Sequence, residues 1–198
     1  VNKSLITLAV DALCTALSTV TGWHTQDISF GFRMGAGFAG DVNRTHPASI
    51  VAGAMNTSVQ PPRLFGDPVI IDSATSSYRG ITTADTSTFA CDGFVVRPYP
   101  VQQSDAYGMT ATIGNGAPAV NQPVDICSDG FIIVKCNVGT PTKGGAVYVY
   151  TAASTGSHVQ GGLEAAAGSN LTLISNAFFN GPADASGITE LRTTASKI

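Results

Sequence analysis

Charged side chains are scarce in this sequence, only 12% of its 198 residues, and they sum to a formal charge of -3. Lys and Arg stand singly, with no basic cluster. A nucleic-acid partner wants a basic face, so none is expected. Long apolar runs are missing too. The best candidate, Ser4–Val20 (SLITLAVDALCTALSTV), carries Asp11 and is studded with Ser and Thr. It falls short of the 18 or more apolar residues a membrane helix requires, so no membrane partner is expected. Lys3 ahead of the run has the form of an export signal, but Asp11 interrupts it. Synthesis in a reducing cytoplasm is the expectation.

Catalytic and metal-binding signatures are equally thin. His24, His46 and His158 are the only histidines, and none sits in H-E-x-x-H. His46 precedes a proline and His158 lies in a Gly/Ser stretch, so both read as exposed loop residues. There is no G-x-S-x-G elbow, and PTKGG (141–145) lacks the upstream Gly and the trailing Ser or Thr of a phosphate loop. A carboxylate pair made in space would leave no local trace. On the local signals, the chain is not an enzyme and needs no cofactor. The four cysteines, Cys14, Cys91, Cys127 and Cys136, contain no C-x-x-C, so zinc is not expected. Asp129-Gly130 has the spelling of a two-residue hairpin turn. In that register Cys127 and Cys136 cannot face each other, and all four thiols are expected to be reduced. The sequons at Asn43, Asn56 and Asn170 read as chance in a Thr-rich chain.

What is present in abundance is glycine, 22 residues of it. Gly35-Ala36-Gly37-Phe38-Ala39-Gly40 spells G-x-G-x-x-G, the fingerprint of a dinucleotide cradle. That cradle needs a helix after the third glycine and an acidic residue about 20 residues on. Here DVNRTHP follows, where β-branched residues and Pro47 forbid a useful helix. Further on, VQPPRLFG (59–66) offers no carboxylate. The cluster is read instead as a loop between the strand in DISFGFRM (27–34) and the next one, with positive φ values.

Beyond Trp23 the chain is a succession of short β-branched or aromatic segments broken by Gly, Pro, Asn or Asp. They are ASIVAGA (48–54), PVIID (68–72), GFVVRPYP (93–100), YGMTATI (107–113), QPVDIC (122–127), GFIIVKC (130–136), GAVYVYTA (145–152), LTLISNAFF (171–179) and GITELRT (187–193). In AVYVYT, Val147 and Val149 face one way and Tyr148 and Tyr150 the other. Many short strands without intervening helices predict an all-β, mainly antiparallel fold: a β-sandwich, jelly roll or small barrel. One domain, 25–198, is expected, preceded by a helical segment, 1–24. In that segment Ser4 caps a helix running to Val20, and Gly22 stops it. Leu5, Leu8, Ala9, Ala12, Leu13, Ala16, Leu17 and Val20 form one apolar stripe. A lone helix of this length needs a docking surface. Leu5, Leu8, Leu13 and Leu17 are therefore the expected contact face between subunits or with a larger assembly, with Trp23 anchoring the exit.

The order of motifs along the body, GAGFAGDVNR, FGDPVIID, GFVVRPYP, PVDICSDGFIIVKC and TKGGAVYVYTAASTG, resembles the structural cement, or capsid decoration, proteins of tailed bacteriophages. The resemblance covers Gly31 to Arg192 and rests on the succession of motifs. It implies a β-rich, non-enzymatic virion protein with no catalytic residues. It also implies binding to the outside of a shell of major capsid protein, with self-association as a dimer or trimer. Two features depart from it: the helix Ser4–Val20, and Cys91-Asp92 ahead of the strand GFVV. A competing reading is a β-sandwich recognition module for glycans, in which Trp23, Tyr99 and Tyr107 would stack on sugars. Core or strand-face packing is the commoner use of such aromatics.

Overall fold

One strand organises the rest of the computed structural model, which describes residues 37–42, 48–56, 64–98 and 123–195. Strand β5, Pro123–Val138, runs 16 residues without a break. At roughly 3.3 Å per residue it spans about 50 Å, enough to serve two sheets in turn. Its first half lies between β1 (Ser49–Ala54) and β4 (Gly93–Val95), so that Ile126 is flanked by Val51 and Val95. Beyond β4 come β2 (Pro68–Asp72) and β3 (Ser77–Arg79), all antiparallel. Its second half pairs with β9 (Ile188–Thr193), from Gly130↔Thr193 to Lys135↔Ile188.

From β9 the ladder continues to β8 (Leu171–Phe179), then to β6 (Ala146–Tyr150) and β7 (Leu163–Glu164). Strand β7 returns to β5 in parallel, with Cys136 opposite Leu163. The ring β5-β9-β8-β6-β7 is closed. Of the three all-β architectures the sequence allows, the small barrel is the one formed, and closure removes the edges it would otherwise expose.

Alternation in the sequence fills this ring. Ile132, Val134 and Cys136 of β5 point inward with Val147, Val149, Leu163, Ile174, Phe179 and Leu191. A second core lies on one face of the small sheet: Val124 and Ile126 with Met55, Phe65, Val69 and Val95. The opposite face of that sheet sends Phe94 and Cys127 into the barrel core. Burying Phe94, Phe179 or Leu191 contributes roughly 1.5–3 kcal/mol each. The two cores therefore share the small sheet as a wall.

The hairpin expected at Asp129-Gly130 does not form. A two-residue hairpin of that spelling needs positive φ at both central residues, and of the pair only Gly130 has it, at 133°. The flanking segments also find better partners than each other: Asp129 lies opposite Ser49, and Gly130 opposite Thr193. Gly130 is where β5 changes neighbours. A Cβ there would sit 3.0 Å from the Cβ of Ala48, on the chain entering β1. The expectation that Cys127 and Cys136 cannot bridge holds for another reason. They lie nine residues apart on one extended strand, about 30 Å at its rise per residue. Cys91, Cys127 and Cys136 are free and buried. The helix Ser4–Val20, the strands in DISFGFRM and YGMTATI, and Cys14 fall outside the described residues.

The glycine cluster is a strap, with Gly37 at φ 111° and Gly40 at φ 90°. Gly40 N–H donates to the Ile133 carbonyl at 2.7 Å, and its own carbonyl accepts from Arg97 N–H at 2.8 Å. Ile133 N–H in turn reaches the Asp41 carbonyl at 2.9 Å. The loop thus stitches β5 to the segment leaving β4. A Cβ on Gly40 would stand 2.5 Å from the Phe65 Cβ and 2.9 Å from the Arg97 nitrogen, with no flexible group to yield. Gly40→Ala should therefore lower the unfolding free energy by about 2–4 kcal/mol, from backbone strain plus the clash. Urea unfolding followed by circular dichroism checks this. A loss below about 0.5 kcal/mol, the range of neutral surface changes, would show that the strap is not tightly held.

Candidate functional site

The polar clusters of the body are structural clasps. Arg79 forks onto Asp85, Nη1 to Oδ2 at 2.8 Å and Nη2 to Oδ1 at 2.9 Å. Burial alone would raise the Asp85 carboxyl, but Arg79 and the Thr82 N–H and hydroxyl outweigh it and hold it below the usual range. The Asp85 carbonyl then accepts from Thr172 of β8, tying the small sheet to the barrel. Asn56, one of the sequon residues, is buried and donates to Asp72 and Thr75, so its amide is already in use. The Cys91-Asp92 step has the same kind of role. Cys91 N–H and carbonyl both bond the Asn176 side chain, at 3.0 and 2.9 Å, and Asp92 accepts from Ile71 N–H at 2.7 Å.

His158 lies in its loop as expected, but its ring is not free. It stacks on Tyr150 with centroids 5.0 Å apart, and Nδ1 lies 2.7 Å from Oε1 of the buried Glu164. A histidine oriented by a carboxylate is two-thirds of a nucleophilic triad. No hydroxyl or thiol hydrogen-bonds to His158 among the described residues. No group of three or more His, Cys, Asp or Glu suited to a metal ion occurs among them either. No helix there is long and apolar enough to cross a membrane.

The exposed apolar residues are the features left over. Phe38 is 48% exposed, Ile50 48%, Val51 43% and Ile71 43%. Phe38 is held rather than dangling. Its N–H donates to Asp41 Oδ2 at 3.0 Å, and the Arg97 guanidinium lies 5.1 Å from its ring centroid. That same guanidinium stands 5.7 Å from the Phe65 ring, a cation–π stack with an aromatic on its exposed end. Ile50 and Val51 belong to β1, nearly every residue of which is exposed. The expected contact residues Leu5, Leu8, Leu13, Leu17 and Trp23, and the aromatics Tyr99 and Tyr107, lie outside the described residues. Phe38, Ile50, Val51 and Ile71 escaped the sequence reading. For Phe38 the signal was an aromatic framed by glycines, and for β1 a strand with no charge on either face.

A family model described as XM1 gp53 minor capsid protein matches residues 26–193, most of the chain. The chain belongs to this family. A chain of the solved structure "The capsid of Myoviridae Phage XM1" has a similar fold, with a TM-score of 0.56 at 17% sequence identity. The similarity covers 79% of this chain and 89% of that one. No curated protein matches. Family membership makes this a structural component of a phage capsid, and not an enzyme. The matched span agrees closely with the stretch, Gly31 to Arg192, over which the motifs resemble phage cement proteins.

The three described cysteines are buried, and their surroundings hold them protonated. Burial is the main cause that pushes the Cys91 thiol up to about 12, and Cys127 and Cys136 to about 11 each. Thiolate is the reactive form, so none of the three is a nucleophile near neutrality. Stability tied to these thiols is intact below the ordinary thiol value of about 8.5 and falls as pH climbs towards 11. Iodoacetamide at pH 8 should leave Cys91, Cys127 and Cys136 unlabelled in the folded protein. Denaturation without reductant should expose all three, as read by mass spectrometry. Rapid labelling of the folded protein, or a pair still blocked after denaturation, would contradict this environment.

Proposed function

We propose that this capsid protein is a cement: it binds the outer surface of the shell of major capsid protein and stabilises it. The observation that carries the reading is the set of apolar side chains held out on firm backbone, Phe38 on its strap and Ile50 and Val51 on β1. Preorganised aromatic and aliphatic knobs of this kind anchor interfaces, because little conformational freedom is lost on docking. A specific contact needs upwards of roughly 1,000 Å² of buried surface, more than these three residues supply alone. Self-association into a dimer or trimer lets small contacts suffice by effective concentration, since one oligomer touches several shell subunits. The apolar stripe of Leu5, Leu8, Leu13 and Leu17, with Trp23, is the proposed subunit contact.

Co-sedimentation of the purified chain with preformed shells of the major capsid protein tests this. Saturable binding to the outside and a higher shell disruption temperature are expected. Phe38→Ser should fold normally, because the ring is half exposed, and should bind at least several-fold more weakly. A protein that enters shells only during assembly, and is then protected from protease added outside, would contradict the cement reading.

A further inference from the structure

Among the described residues, strand β1 ladders along one edge only, up to the point where Met55 and Asn56 meet Tyr78 of β3. Its register with β5 runs from Ser49↔Asp129 to Ala54↔Pro123, and no strand pairs with its other edge among the described residues. Free edges in natural proteins carry Lys or Pro, or are covered, because a bare row of N–H and C=O groups recruits another chain. The sequence SIVAGA has none of these protections. Ile50 and Val51 project to opposite faces, and both are close to half exposed.

The strand is nevertheless fixed in place. Asn56 N–H donates to the Tyr78 carbonyl at 2.7 Å, and Met55 forms an isolated bridge to Tyr78 just beyond its end. Gly53 is in close contact with the Tyr78 ring. At the other end, Ala48 lies against Gly130. An edge held at both ends is already in the geometry that strand addition needs.

We infer that the free edge of β1 accepts an extended, Lys- or Arg-bearing, apolar segment of the neighbouring major capsid protein as an added strand. The inference rests on the cement reading and names the contact through which it acts. Charge decides between the possible occupants. Beside β1 on β5 stand Asp125, opposite Ala52 and exposed, and Asp129, opposite Ser49, while β1 carries no charge of its own. An incoming strand would lie two ladder spacings from β5, about 10 Å, within reach of a long basic side chain. A second copy of this edge would bring its own Asp125 and Asp129 beside an equally uncharged β1, and no base. Pairing of one six-residue strand also falls well short of the ~800 Å² per partner of a stable interface. Such a contact suits a chain already concentrated on a shell, where main-chain bonds give affinity and alternate side chains give specificity.

A proline walk over Ile50, Val51 and Ala52 in the full chain provides the test, with melting temperature, shell co-sedimentation and sedimentation velocity measured for each variant. N–H groups alternate between β5 and the free edge, so proline at outward positions should leave the melting temperature unchanged. Those variants should bind shells roughly tenfold more weakly or worse, from the loss of hydrogen bonds and shape. Ile50→Lys with Val51→Lys, both at exposed sites, should weaken binding without loss of folding and serves as the second variant. Wild-type binding with every folded variant equally tight would overturn strand addition while sparing the cement reading. Variants that dissociate the oligomer yet still bind shells would make a second copy the occupant and overturn the inference. Wild type that fails to bind preformed shells would remove the cement reading and this inference with it.

Discussion

The uninterrupted passage of β5 from the small sheet into the barrel is the constraint on which the body depends. A strand that turned back at Asp129-Gly130 would pair its two halves with each other in one hairpin. Passing through, it carries Ile126 and Ile132 on one backbone while they serve two different cores. Gly130 permits the crossing, because a side chain there would press on Ala48. Other ties run parallel to it. Phe89 N–H bonds the Leu173 carbonyl, and its own carbonyl accepts from Ser175 N–H, which lays the β3–β4 connection along β8. The strap at Gly40 and the Asn176 amide at Cys91 add two more cross-links.

Much of this fold was legible because alternation is a local signal. Strand β8 begins and ends where LTLISNAFF does, and Val147 and Val149 enter the barrel as their period of two requires. Strands β3 and β7 were not legible. Three and two residues are too few to carry a period, and their place is set by Tyr78 against Ile71 and by Leu163 between Val149 and Cys136. The Asp129-Gly130 turn failed for a related reason. A two-residue signal was outweighed by the ladders on either side of it, which no local pattern announces. Nor did any local pattern show that His158 would meet Glu164.

The functional surface was harder to read than the fold, because exposure is a tertiary property. The helical stripe of Leu5, Leu8, Leu13 and Leu17 drew attention by its periodicity, whereas the exposed residues of the described body have none. Phe38 is one aromatic in a glycine loop, and Ile50 and Val51 resemble any buried strand pair until the edge is seen. The lack of local catalytic motifs pointed away from an enzyme, as the family match does. The succession of motifs along the chain pointed to a phage capsid, at the level the family match supports.

Native-state hydrogen exchange tests most directly whether β5 joins the two cores into one cooperative unit. The amides of Ile126, in the small sheet, and Val134, in the barrel, are the informative pair. If β5 is the shared spine, both should exchange only by global unfolding, with equal opening free energies that track denaturant together. If Ile126 instead opens at markedly lower free energy while Val134 stays protected, the small sheet unfolds on its own and the spine does not couple them.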